Sequence, residues 1–228
     1  MIQFQGVSFA YPGEQETLSN VTFKLSPGFI LLLGPNGCGK TTLLRLAAGV
    51  EMADSGILKV AGIDLWREEI LARSKLAYFP EYPDLTPYAT IGEIMNLICR
   101  LRGLEPSSGV HVLQKIGLTN VKNKTIRELS FGQRRKALFS FCMIGTPKVI
   151  LLDEPLEGMD LHMRNFIDYW MREKLLQKTT LVVASHIIHP FISLADQVLG
   201  FKNRNVIHHS RSDLSLDKWK NLIEDMAR

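Results

Sequence analysis

Cysteine is scarce and ungrouped in this chain. Its 228 residues include three, Cys38, Cys99 and Cys142, and none forms a CxxC pair. That argues against a disulfide framework and against a cysteine-built zinc site, and it points to a reducing compartment, the cytoplasm. Long apolar runs are also missing. The longest, around Phe29–Leu33 and at Val149–Leu152, are strand-sized, far short of the ~18–20 residues that span a bilayer. The opening residues Met1-Ile2-Gln3-Phe4-Gln5 carry neither the basic region nor the apolar core of a secretion signal. No internal repeat and no low-complexity tract breaks the chain. What remains is ordinary globular composition, 46% hydrophobic and 22% charged, with a mean hydropathy of +0.04. A slightly apolar chain of this kind with no membrane span of its own needs an explanation.

Charge gives a weak lead. Twenty-seven basic against 23 acidic residues leave a net +4, which suits nucleic acid, anionic lipid or a phosphate ligand. The basic residues are not heavily clustered, so a solvated surface of mixed sign explains them as well.

Local patterns alternate between strand and helix. Val7–Tyr11 and Val21–Leu25 alternate apolar and polar, with the turn Pro12-Gly13 between them. Phe29-Ile30-Leu31-Leu32-Leu33 is apolar throughout, as a strand buried on both faces must be. Val149–Leu152 and Thr180–Ala184 read the same way. Residues 91–145 are mostly helical in pattern, with breaks expected at Pro106–Gly109 and near Gly117. Strands alternating with helices predict an α/β core with a mostly parallel sheet, and the helical stretch between two core strands predicts an inserted subdomain.

The strongest motif follows the first buried strand. Gly34-Pro35-Asn36-Gly37-Cys38-Gly39-Lys40-Thr41 fits G-x-x-x-x-G-K-[ST] between a strand and the helix-forming run Thr42–Ala48. The glycines let successive N–H groups face one anion, and the helix that follows adds the positive end of its dipole. Lys40 can reach the β- and γ-phosphates and the Thr41 hydroxyl can ligate Mg²⁺. Cys38 stands where a small residue suffices. The alternative, a glycine-rich turn with an exposed lysine, does not explain the strand before and the helix after.

A second strand ends in paired acids, Asp153-Glu154. Ligands of open α/β sheets bind at the carboxyl ends of strands, which suits Asp153 as a Mg²⁺ ligand and Glu154 as the group that polarises the attacking water. Alone, the pair reads equally well as solvated acids before Pro155.

With these residues in view, residues 2–200 resemble the nucleotide-binding subunit of an ATP-binding cassette (ABC) transporter, in the family's motif order. Leu129-Ser130-Phe131-Gly132-Gln133 resembles the ABC signature, with Phe131 in place of a usual glycine, and Ser130 precedes Asp153 by 23 residues. Ser130-x-x-Gln133 is also a helix capping box, which needs no ligand. The resemblance implies an α/β P-loop NTPase core of mostly parallel sheet, with an N-terminal antiparallel β-subdomain and an inserted α-helical subdomain. It implies a single ABC ATPase domain, with about 1–82 and 146–228 as core and about 83–145 as the helical part. It implies that Gly34 to Thr42 cradle ATP, that Tyr11 stacks on adenine, and that Ser130, Gly132 and Gln133 meet an ATP seated on an opposite subunit. A tyrosine that simply sits in a turn is the other reading of Tyr11. By the same resemblance His186, 32 residues after Glu154, is the switch histidine beside the γ-phosphate. Glu157-Gly158-Met159-Asp160 matches the loop that crosses a dimer interface, with Asp160 as its acid. Glu81 stands where the family usually has a glutamine facing the metal, so altered Mg²⁺ dependence is expected.

The implied protein is an ATPase (Glu154, His186 and Lys40 catalytic; Thr41, Glu81 and Asp153 on Mg²⁺) that dimerises on ATP, with itself or a similar subunit. It powers a separate membrane permease from the inner face of the membrane, binds no nucleic acid, and leans towards export because of Glu81 and a compact C-terminus. Residues 202–228, with Lys202, Arg204, Arg211, Trp219 and Lys220, read as a last strand and an amphipathic helix. A soluble ABC ATPase serving as an assembly scaffold remains the competing class. A P-loop kinase would explain Lys40 but not Ser130–Gln133 or His186.

Overall fold

A computed structural model describes residues 1–82, 86–202 and 205–227. In chain order it runs β1 (Ile2–Phe9), β2 (Leu18–Leu25), β3 (Gly28–Leu33), α1 (Lys40–Ala48), β4 (Ser55–Val60), β5 (Ile63–Asp64), α2 (Glu69–Ser74) and β6 (Leu76–Phe79). Three helices follow, α3 (Ile91–Leu101), α4 (Pro106–Lys115) and α5 (Phe131–Met143). The chain then returns through β7 (Val149–Asp153), α6 (Leu161–Leu176), β8 (Thr180–Ala184), α7 (His189–Ile192), β9 (Gln197–Lys202), β10 (Asn205–Ser210) and α8 (Leu216–Ala227).

Two sheets result. A six-stranded sheet has the order β10-β9-β3-β8-β7-β6 and is parallel except for the antiparallel edge strand β10. A four-stranded antiparallel sheet has the order β2-β1-β4-β5. The sequence patterns account for the difference. β1 and β2 alternate buried and exposed positions, as strands with one wet face do, whereas β7 and β8 are buried at every residue.

The all-apolar strand β3 feeds two cores. Phe29, Leu31 and Leu33 face a core built with the helices between β6 and β7, together with α6 and α8. Ile30 and Leu32 face the antiparallel sheet and α1. A strand that alternates between two apolar compartments shows no alternation in sequence, because both faces want hydrocarbon. α8 closes the first core: Trp219 is fully buried and its Nε1 donates to the Ala195 carbonyl at 3.0 Å. The last strand and last helix are therefore as the sequence indicates, with Arg204 outside the described residues, as are 83–85 at the start of the expected helical stretch. No helix among the described residues is long and apolar enough to cross a membrane.

One expectation needs correction. Pro106 does not interrupt a helix but opens α4, because proline at the first helical position lacks only an N–H that would be orphaned anyway. The break falls at 102–105 instead. On α3, Leu97 is 49% exposed, while Ile91, Met95 and Cys99 form the buried stripe. Ile94 and Ile98 flank that stripe, partly buried. Thr90 forms a capping box at the start of α3, with Glu93 N–H donating to Thr90 Oγ1 at 3.1 Å and Thr90 N–H donating to Glu93 Oε2 at 2.7 Å.

Candidate nucleotide site

β3, β6, β7 and β8 are parallel neighbours or near-neighbours, so the loops leaving their carboxyl ends converge. Between them opens a cleft of about 440 Å³, lined by Tyr11, the 36–42 loop and helix start, Glu81, Asp153, Glu154 and His186. The glycine loop leaves β3 and enters α1 through Gly39, whose φ of 110° a side chain would resist. Lys40 Nζ donates back to the Gly34 and Pro35 carbonyls at 2.7 and 3.1 Å. The ammonium is thus held inside the loop, over the place an anion would take. Asn36, Gly37, Gly39, Lys40, Thr41 and Thr42 line the cleft. Cys38 does not: its sulfur packs at Gly34, and it borders an adjoining hollow with Phe201. Burial raises its thiol pKa, against the pull of Lys40, so a ready thiolate nucleophile is not what the site offers.

Tyr11 follows the end of β1. Its ring meets Phe9 edge-on at 4.9 Å and its hydroxyl lies 3.4 Å from Thr42 Oγ1. Phe9 is buried and fixes the tyrosine from one side, leaving the ring at the cleft wall. Glu14 and Thr17, from the turn before β2, line the same wall. Nothing in their sequence context marks them.

The acid pair ends β7. Asp153 is 2% exposed, and burial first, with the charges of Glu81 and Glu154, pushes its carboxyl up to about 6, although a Thr41 hydrogen bond and the Lys40 charge oppose the rise. Its Oδ2 is buried and has no hydrogen-bond partner among the described residues. A carboxylate oxygen left bare next to a threonine hydroxyl and two further carboxylates is a hard-oxygen donor set that suits Mg²⁺. Among the described residues no group of three His, Cys, Asp or Glu could hold a metal alone. A cation shared with nucleotide phosphates needs no such group.

Glu154 is held firmly. Its backbone adopts φ 48°, a left-handed conformation that costs a non-glycine residue about 1–3 kcal/mol. Hydrogen bonds through its N–H and its carboxylate fix it there. Its N–H donates to the Ala184 carbonyl at 2.9 Å, and the carboxylate accepts from Ser185 Oγ at 3.0 Å and from His186 N–H at 2.8 Å. Burial raises its pKa, Glu81 adds to the rise, and Ser185 and His186 counter it. The His186 ring is half exposed, with Nε2 3.5 Å from Glu154 Oε1. One carboxylate therefore touches both the backbone and the ring of the histidine that follows β8. Ser185 escaped the sequence reading because a serine after a buried strand carries no signal of its own.

Glu81, after β6, lines the cleft within reach of these acids, and its charge is one cause of the raised carboxyl of each. Replacing it by glutamine removes that charge, so both carboxyls ionise at lower pH. The acid limb of turnover in Glu81→Gln should move to lower pH, and its apparent Mg²⁺ requirement should rise several-fold. Superimposable pH–rate and Mg²⁺ titration curves for parent and variant would sink this.

The remaining predicted residues lie outside the cleft. Ser130 caps α5, accepting from Gln133 N–H at 3.3 Å while Ser130 N–H donates to Gln133 Oε1 at 3.1 Å. The turn is exposed, and around Gly132 an added Cβ would find only the Gly158 carbonyl, at 4.0 Å. Phe131 is 65% exposed, and its ring lies where a Cβ on Gly158 would stand, 2.3 Å from Cε1. The aromatic departure at position 131 thus rests on a glycine of the 157–160 loop. Asp160 caps α6, accepting from Met163 N–H at 2.8 Å, and pairs with Lys136 at 2.7 Å. The exposed helix start at Ser130 and the cleft at Lys40 are two separate anion-friendly surfaces on one chain.

A phosphate-cradling loop after β3, with a buried aspartate and a strained glutamate at the end of β7 one strand away, defines a P-loop nucleotide hydrolase. The more particular assignment comes from relatives. The family model described as ABC transporter matches residues 18–157, and the chain belongs to that family as an ABC ATPase domain. It is 28% identical over 95% of its length to "Nod factor export ATP-binding protein I" of Rhizobium etli, covering 70% of that protein. It is 32% identical over 87% of its length to "Spermidine/putrescine import ATP-binding protein PotA" of Bacteroides fragilis, covering 44% of that one. Among solved structures, the ATP-binding subunit of an ABC transporter matches with a TM-score of 0.86 at 22% identity, over 98% of this chain and 99% of the other. A dimeric bacterial ABC transporter cassette matches with a TM-score of 0.80 at 21% identity, over 92% and 98%. At these identities the structural likeness speaks for the fold.

Proposed function

We propose that the chain is the nucleotide-binding subunit of a membrane transporter and closes on ATP as a dimer, with itself or a similar subunit. The observation that carries this reading is the separation of its two anion sites: the exposed Ser130 and the half-buried Gly132 are not among the residues that line the cleft of Lys40 and Asp153. A triphosphate in the cleft of one subunit would meet the Ser130 turn of the other, completing two shared sites. Lys40 would leave its two carbonyls for the β- and γ-phosphates, Tyr11 would flank the base, and Asp160 would lie near the subunit boundary. Glu154, aimed by Ser185 and the His186 N–H, would take a proton from the attacking water, and His186 would face the γ-phosphate. Thr41, Asp153 and Glu81 would hold Mg²⁺, which supplies charge neutralisation at the phosphates.

A permease is the partner we favour over an assembly scaffold. Ile70 on α2 is 88% exposed and Leu101 on α3 is 71% exposed, with Leu71 and Leu97 also out. Ile70, Ile98 and Leu101 line one shallow apolar groove. A contiguous exposed apolar patch marks an interaction surface, and a short helix from a membrane protein is its fitting occupant. We favour export, on Glu81 and on the likeness to the export relative along most of the chain. Affinity purification from gently solubilised membranes should recover a polytopic membrane protein with the chain, and Ile70→Glu with Leu101→Glu should release it. Recovery of the parent chain without any membrane protein would favour the scaffold instead.

A further inference from the structure

One side chain that the nucleotide chemistry does not use links the two surfaces. Arg135 lies on α5, five residues after its Ser130 cap, and is 3% exposed. Its guanidinium pairs with backbone carbonyls rather than with the acids around it. It donates to the carbonyl of Glu81 at 2.6 Å, of Pro80 at 3.4 Å and of Glu157 at 3.3 Å, and to that of Glu154. Its Cζ lies over the Phe79 ring, 4.5 Å from the centroid. Burial lowers its pKa, opposed by the charges of Glu157, Glu81, Asp153 and Glu154.

An arginine offers five N–H donors in a rigid fork. Here the fork spans the chain after β6, the end of β7 and the 157–160 loop. The carbonyls of Glu81 and Glu154 fix the backbone from which those two carboxylates spring, so whatever moves α5 moves them. We propose that Arg135 is a positioning residue that couples the Ser130 turn to Glu81 and Glu154 of the same chain. The inference rests on the two-subunit reading above: a nucleotide in the partner's cleft presses on Ser130 and Gly132, and Arg135 carries that displacement into this chain's own cleft. One subunit's hydrolysis then depends on whether the other is loaded, through a single guanidinium.

The test uses the full chain carrying Arg135→Gln or Arg135→Lys, with steady-state turnover against Mg-ATP concentration, fluorescent-ATP binding and thermal unfolding. Arg135→Gln should lower kcat at least tenfold, keep nucleotide affinity within about threefold, and bring the Hill coefficient of turnover to one. Arg135→Lys keeps the charge but reaches fewer carbonyls, so it should recover part of kcat and part of the cooperativity. A purely structural role would instead remove folded protein, lowering turnover and binding amplitude together while leaving KM and the Hill coefficient of the survivors unchanged. That pattern would overturn the proposal, as would parental kcat and cooperativity in Arg135→Gln. Should Arg135→Gln fail to fold, Arg135→Lys decides by the same readouts. Turnover without cooperativity in the parent overturns the two-subunit reading alone, while the split between kcat and affinity still judges Arg135.

Discussion

In Glu154→Gln, ATP turnover should fall by about 10²–10⁴-fold, the usual worth of a positioned general base, while ATP binding survives. Among the described residues, the carboxylate accepts from Ser185 and His186. A glutamine keeps a carbonyl oxygen for the His186 N–H, and its NH₂ can donate to the Ser185 hydroxyl, so the geometry holds while the base is lost. A subunit that binds ATP and cannot cleave it should stay in its closed assembly. Light scattering should therefore show a dimer at saturating ATP and Mg²⁺, returning to monomer when ATP is withdrawn. A monomer at saturating ATP would count against ATP-driven closure, and turnover within tenfold of the parent would remove Glu154 from its role.

Asp153→Asn should do two opposite things. Mg-ATP hydrolysis should drop by at least about 100-fold, because the bare Oδ2 would be lost as a ligand for the metal. The nucleotide-free chain should become more stable. Burial raises the Asp153 carboxyl from 3.8 to about 6, so between those values the folded chain keeps a proton that the unfolded chain has released. Stability therefore falls as pH rises through that window, and the full cost applies above it. At 1.36 kcal/mol per unit the shift corresponds to about 3 kcal/mol, and a neutral asparagine escapes most of it. Denaturant unfolding at pH 8 without nucleotide or metal should favour Asp153→Asn by about 1–3 kcal/mol, and the gap should close below pH 4. Added Mg-ATP should stabilise the parent and not the variant. An equal stability difference at both pH values would refute the burial argument.

Much of this site was readable from residue order because its chemistry is local. A glycine loop between strand and helix, an acid pair ending an apolar strand and a capped helix start each declare themselves within eight residues. What stayed hidden depends on which side of an element meets which neighbour. Arg134-Arg135-Lys136 reads as a solvated basic run, yet Arg135 is buried. Following the stripe of Phe139 and Cys142 back by one turn of α5 would have landed on it, had charge not argued against burial. Pro106 reads as a breaker, although proline also opens helices. Cys38 sits in the motif but turns towards Gly34, a direction that spacing does not encode. Phe131 against Gly158 pairs two loops far apart in sequence, and each looks arbitrary without the other.

The strand that carries the glycine loop has a further consequence, for how the chain is made. β3 is complete at Leu33, yet its sheet neighbours β8 and β9 begin at Thr180 and Gln197. At about 5–20 residues per second of synthesis, β3 waits roughly 7–30 s for its first hydrogen-bonded partner. The antiparallel sheet, by contrast, has all four strands once Asp64 is made. Assembly during translation thus starts on that sheet, with Ile30 and Leu32 sheltered against it and Phe29, Leu31 and Leu33 still bare. A nascent chain stalled before β8 displays a five-residue apolar strand with both edges open, which makes it a template for aggregation and a natural client for chaperones.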